Sequence, residues 1–364
     1  MQENQSRWSV IITMAGAMMA SLIGSGFATG QEIIQYFVSR GWLGTLSILT
    51  IFIGFSFVGY SLFTVGYDHQ EDLLRTNDIY HIYTNQFFGR IYEGVSFIAI
   101  FLTYSVMIAG AGATIQQQFA LPVYIGSSLM FALVALVVML GLKRLTNILG
   151  KLGPIIAIAA IILGIYAFIV YWDRLPQAEA LIQEAVQNKE IQTSSGNWLI
   201  SGLNYVGYNL ILFAGYLSQT GRQARSNRDS AISGTLGGGF FSIAVFISYL
   251  GFMASFSVSG KASVPTLILA NDIHPLVGWF FVIMIMCGIF TTAVTLLWNS
   301  VSVFAEDGTK RYKILTLIVG LIGLIIGSVV SFDHLLNIVY NVAGYFGIAL
   351  IAVMVWRQIE WRKK

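Results

Sequence analysis

The sequence predicts an all-α membrane protein of ten transmembrane helices, arranged as two five-helix sets that run through the membrane in opposite directions. Three observations predict it. The 364 residues are 56% hydrophobic and only 10% charged, with a mean hydropathy of +0.74, whereas soluble domains carry about 25% charge. Ten apolar stretches are each long enough to cross a bilayer core, which takes about 20 residues. Finally, 16 of the 20 Lys and Arg residues fall on one side of the resulting topology. An ordinary soluble enzyme is excluded, and so is a disordered chain, because 14% of residues are aromatic. The single Cys287 excludes a disulfide framework and a zinc cluster. A net charge of only +3 argues against a nucleic-acid partner.

The ten stretches are 8–38, 43–66, 92–118, 121–141, 147–171, 198–219, 230–254, 276–305, 312–331 and 335–356. The first runs on too far to be the apolar core of a cleaved signal peptide, so it reads as span one. With the N-terminus inside, the inner segments hold Arg7, Arg75, Arg90, Lys143, Arg144, Lys151, Arg222, Arg225, Arg228, Lys310, Arg311, Lys313, Arg357, Arg362, Lys363 and Lys364. The outer segments hold only Arg40, Arg174, Lys189 and Lys261. Basic residues mark the cytoplasmic side. The expectation is a multi-pass protein of the cell membrane, embedded in the lipid bilayer with both termini in the cytoplasm.

Five is odd, so a second set of five helices must be inverted relative to the first. The division predicted is 1–172 for spans one to five, 173–197 for an outer linker with a short amphipathic helix, and 198–364 for spans six to ten. The long connection Gly66 to Ile91 lies inside and the long connection Ala254 to Pro275 lies outside, as inversion requires. Inverted repeats of this kind are typical of secondary transporters, whose sites are built by interrupted helices.

Span one is the first candidate for such an interruption. Its roughly 31 residues would reach about 46 Å as one helix, and its middle reads Ile23-Gly24-Ser25-Gly26-Phe27-Ala28-Thr29-Gly30-Gln31-Glu32. Three glycines in seven residues weaken a helix, and unwound backbone with polar groups is tolerated only away from lipid. The N–H groups around Phe27, Ala28 and Thr29 would then face an anion such as a substrate carboxylate. The competing reading is that these glycines serve close helix packing. Span six is the counterpart, with Gly202, Gly207 and Gly215 among Asn204, Tyr205, Tyr208, Asn209 and Tyr216, and a break is expected near Gly207–Gly215. Tyr205 and Tyr216 suit a structural role as well as ligand contact. Tyr208 and Asn209, nearer mid-span, are the preferred site residues.

Gly24-Ser25-Gly26 with Phe27-Ala28-Thr29-Gly30-Gln31-Glu32 resembles the amino acid–polyamine–organocation superfamily, which has the LeuT fold. Together with Tyr205-Val206-Gly207-Tyr208-Asn209-Leu210, these residues resemble more narrowly the YkvI-type family of bacterial membrane transporters. The resemblance spans essentially the whole chain. It implies ten helices with helices one and six broken, and a small-molecule substrate such as an amino acid or related amine, carried with sodium or protons. The substrate is then expected at Gly24 to Thr29 with Tyr208 and Asn209, while Tyr104 of span three, on a helix that faces helix one in this fold, either closes over it or is a core tyrosine with a local partner.

In the sodium-coupled branch of that fold one ion lies between helices one and eight. Carried over, the carbonyls of Ala20 and Ile23 would meet Gly288, Thr291 and Thr292. The last three lie at i, i+3 and i+4 and share one helix face, although Thr291 and Thr292 can instead bond back to their own helix. Phe27 stands where a second sodium site would need Asn, so one sodium ion is the only cofactor expected. Two residues keep proton coupling open. Glu32 is an intramembrane carboxylate and so a functional candidate by default; it can equally reach an outer vestibule. Lys151 falls where proton-coupled relatives put a lysine in place of sodium; it can equally snorkel to the interface. Asp333 and His334 open span ten on the outside as a gate or a helix cap.

A sensor or accessory protein on a transporter fold is the alternative function. A channel lacks its ring-like repeats of acidic or carbonyl motifs. The four histidines, His69, His81, His274 and His334, pair with no membrane Ser or Asp at useful spacing, so no catalysis is expected. Substrate identity, direction of transport and oligomeric state are not legible in this sequence.

Overall fold

The computed structural model describes residues 7–73, 75–140, 146–194, 196–361 and 363, with the side chains of 146–154 outside that description. The described residues form helices α1 (Arg7–Leu22), α2 (Ser25–Thr29), α3 (Gln31–Tyr36), α4 (Gly44–Asp68), α5 (Asp78–Tyr83), α6 (Gln86–Phe119), α7 (Val123–Leu140), α8 (Thr146–Val170) and α9 (Leu175–Gln187). They continue with α10 (Trp198–Gly221), α11 (Asn227–Ala254), α12 (Phe256–Ser259), α13 (Pro265–Ile273), α14 (Pro275–Ser302), α15 (Lys310–Val329) and α16 (Phe332–Trp361). Several starts are fixed by side chains that accept orphan N–H groups of the first turn. Asn85 caps α6, Asn197 caps α10, Ser226 caps α11 and Thr309 caps α15.

Among the described residues, seven helices are long and apolar enough to cross a membrane: α4 with its preceding turn, α6, α7, α11, α14, α15 and α16. The Ile155–Val170 part of α8 makes an eighth when joined to the segment Trp172–Gln187, from which it bends by 66°. Two of the expected spans are not in that count. The first is divided into α1, α2 and α3, with α1 only 16 residues long, and α10 is diluted by Asn204, Asn209 and its glycines.

The expected interruption of span six is corrected by the structure: α10 is one helix from Trp198 to Gly221. Its glycines are contact points instead. A Cβ at Gly207 would collide with the Gly344 carbonyl and the Gly347 backbone of α16, and one at Gly202 would meet the Ser47 carbonyl of α4. The packing reading of glycine, raised for span one, therefore holds for span six.

Two groups result. α10 and α11 each pack along α4, with α1 against α11 and α16 against α10. α6, α7, α14 and α15 form the second group, which meets the first through α16 and through α2. α4 and α11 cross at Gly59 and Gly234, each lying where a Cβ on the other would be. The amphipathic helix expected in 173–197 is α9, which seats Leu175, Ala178, Ile182 and Ala185 inward.

Candidate functional site

α1 ends at Leu22, and Ile23 and Gly24 leave the helical ladder, Gly24 in an extended conformation. The chain turns again at Gly30, whose φ of +83° is left-handed and suits glycine. A Cβ there would also run into the Phe252 ring. Between these two joints every residue of α2 is buried. Ser25 Oγ has no hydrogen-bond partner among the described residues, and neither has Thr103 Oγ1 on α6, the helix that packs beside α2. Buried hydroxyls are nearly always satisfied, so these two orphans suit a ligand.

Glu32, on the first turn of α3, is 2% exposed. Its carboxylate packs over Gly26, where no other residue would leave it room. Tyr205 donates its hydroxyl to Glu32 Oε2 at 2.9 Å, and the Tyr208 hydroxyl faces the same group. Tyr205 and Tyr208 belong to a cluster of rings: Tyr36 lies 5.1 Å from Tyr205 and 6.0 Å from Tyr208, and Tyr340 stacks on Tyr208 at 4.2 Å. Phe37, Phe55 and Phe241 wall the other side of Tyr205. No ion pair to Glu32 occurs among the described residues. The continuity of α10 is what sets this out: Asn204, Tyr205 and Tyr208 lie at i, i+1 and i+4 of an unbroken helix, so they project to one side.

Both ends of the bundle are fastened over this region. At the end carrying α9 and α13, Thr266 donates to the Ala28 carbonyl at 2.9 Å, and Val264 and Gln117 exchange two hydrogen bonds. There the Lys261 ammonium pairs with Glu190, whose carboxylate raises its pKa. At the opposite end, Arg7 Nε meets Asp229 Oδ1 at 2.7 Å, tying the start of α1 to the start of α11. Behind Phe27 a small cavity lies among Ala160, Leu163, Gly164, Ser248 and Phe252.

The residues expected at the site divide. Gly24, Ser25, Gly26, Phe27, Ala28 and Thr29 lie together at the break, and Tyr208 faces them through Glu32. The Ala28 N–H is not free for an anion, because it donates to the Gly24 carbonyl at 3.1 Å. Thr29 Oγ1 is donated to the Gly26 carbonyl. Asn209 turns its amide back onto the Tyr205 carbonyl of its own helix. Tyr104 is elsewhere: its hydroxyl donates to the Gly320 carbonyl at 3.4 Å and its ring covers Gly323 on α15. Of the sodium set, Ala20 accepts from the Ile23 N–H at 3.4 Å. Thr291 donates back to the Gly288 carbonyl at 2.9 Å, and Gly288 faces Ile156 of α8. Thr292 lies partly exposed on the same helix. The Lys151 side chain lies outside the described residues. Tyr36 and Tyr340 were not anticipated; Tyr36 stands one helical turn after Glu32, the spacing that would have pointed to it.

The fold and this buried, broken first span define a multi-pass membrane protein with a LeuT-like transporter fold. Among solved structures, the chain is similar to MhsT in complex with L-phenylalanine (TM-score 0.63, 17% identity, 96% of this chain and 89% of that one). It is also similar to the manganese transporter of Eremococcus coleocola (TM-score 0.55, 15% identity, 97% and 79% covered). Among curated proteins, it is 22% identical over 353 residues to the membrane protein YkvI of Bacillus subtilis strain 168, covering 96% of both chains. It is 24% identical over 242 residues to YyaD of the same organism, covering 66% of this chain and 64% of that one. No protein-family profile matches the chain.

Proposed function

We propose that the protein is a secondary active transporter that carries an amino acid or related small amine by ion-coupled alternating access. In this reading ten spans form two inverted sets of five in the cell membrane, with termini in the cytoplasm and the α9–α13 end outside. The crossing of α4 and α11, the second member of each set, at Gly59 and Gly234 supports that symmetry. The observation that carries the function is the buried break at Ile23–Gly24, followed at once by the Ser25 hydroxyl, which has no partner among the described residues, and by the Glu32 carboxylate packed over Gly26. Backbone unwound inside a membrane bundle is tolerated where it lines a cavity or binds something.

Proton coupling through Glu32 is the reading the geometry supports best. A lone carboxylate in the membrane interior carries a cost that taking up a proton removes, and the tyrosine hydroxyls serve either form. A single sodium ion among Ala20, Ile23, Gly288, Thr291 and Thr292 is the second reading, favoured by the packing of α14 against α2 beside the break. It is weakened by the return of the Thr291 hydroxyl to its own helix.

The test is thermal stabilisation of the purified protein by a panel of amino acids and amines, with and without sodium, at acidic and alkaline pH. A ligand stabilises the state it selects. A hit from the panel that Ser25→Ala weakens supports the site. A panel in which nothing stabilises the protein, or in which every hit is indifferent to Ser25, counts against it.

A further inference from the structure

The reading of Glu32 as the proton-carrying group raises the question of which side it communicates with, and the surroundings of the carboxylate are not alike on its two sides. Toward the middle of the bundle it meets Gly26, and beyond that the rings of Phe27, Phe55 and Phe241. Toward the α9–α13 end it meets a seam of amides and hydroxyls shared by α3, α10 and α16. Tyr36, one turn from Glu32, donates to Asn204 Oδ1 at 3.3 Å, and Asn204 donates to the Asn341 carbonyl at 3.1 Å. Gln35 donates to the Asp333 carbonyl at 2.9 Å and accepts from Asn337 Nδ2 at 3.1 Å. The seam ends at the surface, where His334 is 58% exposed, 3.4 Å from Asp333 and 3.2 Å from Gln192.

Gln35, Tyr36 and Glu32 share one face of α3, and Asp333, Asn337, Tyr340 and Asn341 share the facing side of α16, at spacings of three and four. Within a transmembrane bundle, side-chain amides are costly unless they are paired or hydrated. On the inner side, one turn beyond Tyr208, Tyr80 and Ser96 both donate to the Ile211 carbonyl, so those hydroxyls are spent on backbone. We infer that the seam between α3 and α16, entered at Asp333 and His334 and bridged by the Gln35–Asn337 hydrogen bond, is the route by which Glu32 exchanges its proton with the outer solution.

The step balances simply. A hydronium ion in outer water gives its proton to a Glu32 carboxylate oxygen, leaving water and a neutral carboxyl group, while Tyr205 keeps its hydrogen bond to Oε2. The titratable groups facing Glu32 are Tyr36 on its own helix, Tyr205 and Tyr208 on α10 and Tyr340 on α16. Arg40 lies beyond Tyr36, where its guanidinium bonds Ser194. α2 contributes no titratable group. α11 contributes Tyr249, which donates to the Gly41 carbonyl, and holds its charged residues at the far end. Asp333 and His334 stand together at the mouth of the seam, 3.4 Å apart.

Dicyclohexylcarbodiimide attacks carboxyl groups in their protonated form, so its rate of attachment at Glu32, read by mass spectrometry with Glu32→Gln as the blank, reports protonation without any substrate. The full-length protein is placed in sealed vesicles in one orientation, and the pH is stepped on one side while the other is clamped. Labelling should follow the outer pH, by up to about tenfold per unit as set by the protonated fraction, and ignore the inner pH. Asn337→Leu, or the milder Asn337→Ser should the first fail to fold, should slow the response to an outer pH step several-fold. Labelling that tracks the inner pH, or that is unchanged by both Asn337 variants, overturns the route while leaving Glu32 as the proton carrier. No labelling at any pH on either side removes Glu32 from that role, and the route with it.

Discussion

Glu32 and Tyr205 are joined across the membrane interior by a single 2.9 Å hydrogen bond from the first span to the sixth. The tyrosine ring is packed among Tyr36, Phe37, Phe55 and Phe241, so its hydroxyl is held in place whatever the state of the carboxyl. Tyr205→Phe keeps the ring and removes the donor. A hydrogen bond to a charged group contributes about 1.5–3 kcal/mol, and stability should fall by that order. In a Glu32→Gln background the same change should cost clearly less, because the partner no longer carries charge. Thermal unfolding of the four proteins completes the cycle; equal losses in both backgrounds would show that the Tyr205 hydroxyl does not act through Glu32.

The break in span one was legible because three glycines there coincide with Ser25, Thr29, Gln31 and Glu32, which lipid would not accept. Span six offered the same composition and took the other outcome. Glycine permits unwinding and close packing alike, and only the position of α16 against Gly207 decides between them. The site was legible in part for a related reason. The sequence singles out Glu32 and Tyr208, but the rotation of α6 about its axis, which turns Tyr104 toward α15 and leaves the Thr103 hydroxyl without a partner among the described residues, is a tertiary fact. Spacing along one helix says which residues share a face, not what that face meets.

The two kinds of glycine predict opposite responses to alanine. At Gly207 a Cβ would enter the backbone of α16, whereas at Gly24 nothing lies within 4 Å and φ is −97°, a value alanine adopts freely. Gly207→Ala should force α10 and α16 apart and lower the folded yield, by overpacking worth about 1–3 kcal/mol. Gly24→Ala should fold as the parent does. The comparison is made by size-exclusion profile and melting temperature of the two variants side by side; equal behaviour would contradict the packing assigned to α10.

The Arg7–Asp229 pair closes the end opposite α13. Arg7 is about half exposed, which limits the contribution of the pair to stability to about 1 kcal/mol or less. The larger effect of Arg7→Ala should be conformational, since the pair ties α1 to α11 only while that end is shut. In a Cys287→Ser background, a cysteine placed at Met18, buried in α1 against α11, should react faster with a water-soluble thiol reagent once Arg7 is removed. Asp229→Asn should act in the same direction, and unchanged labelling in both would mean that other contacts keep the end closed.

The driving ion separates two sets of residues that do not touch. If protons drive transport, Glu32→Gln leaves a neutral group that can neither take up nor release a proton. Accumulation against a gradient should then stop, while exchange of labelled for unlabelled substrate across the membrane persists. Replacing Thr291 and Thr292 together by Ala should in that case leave transport near the parent level, because the Thr291 hydroxyl is already spent on the Gly288 carbonyl. If sodium drives it, the pattern reverses: the double alanine variant needs a higher sodium concentration for half-maximal uptake, and Glu32→Gln still accumulates substrate under a sodium gradient. Uptake and exchange, measured in proteoliposomes with the ligand found by thermal stabilisation, distinguish the two. The burial beside the break of a carboxylate with no ion pair among the described residues, against a hydroxyl that has turned back to its own helix, favours the first pattern.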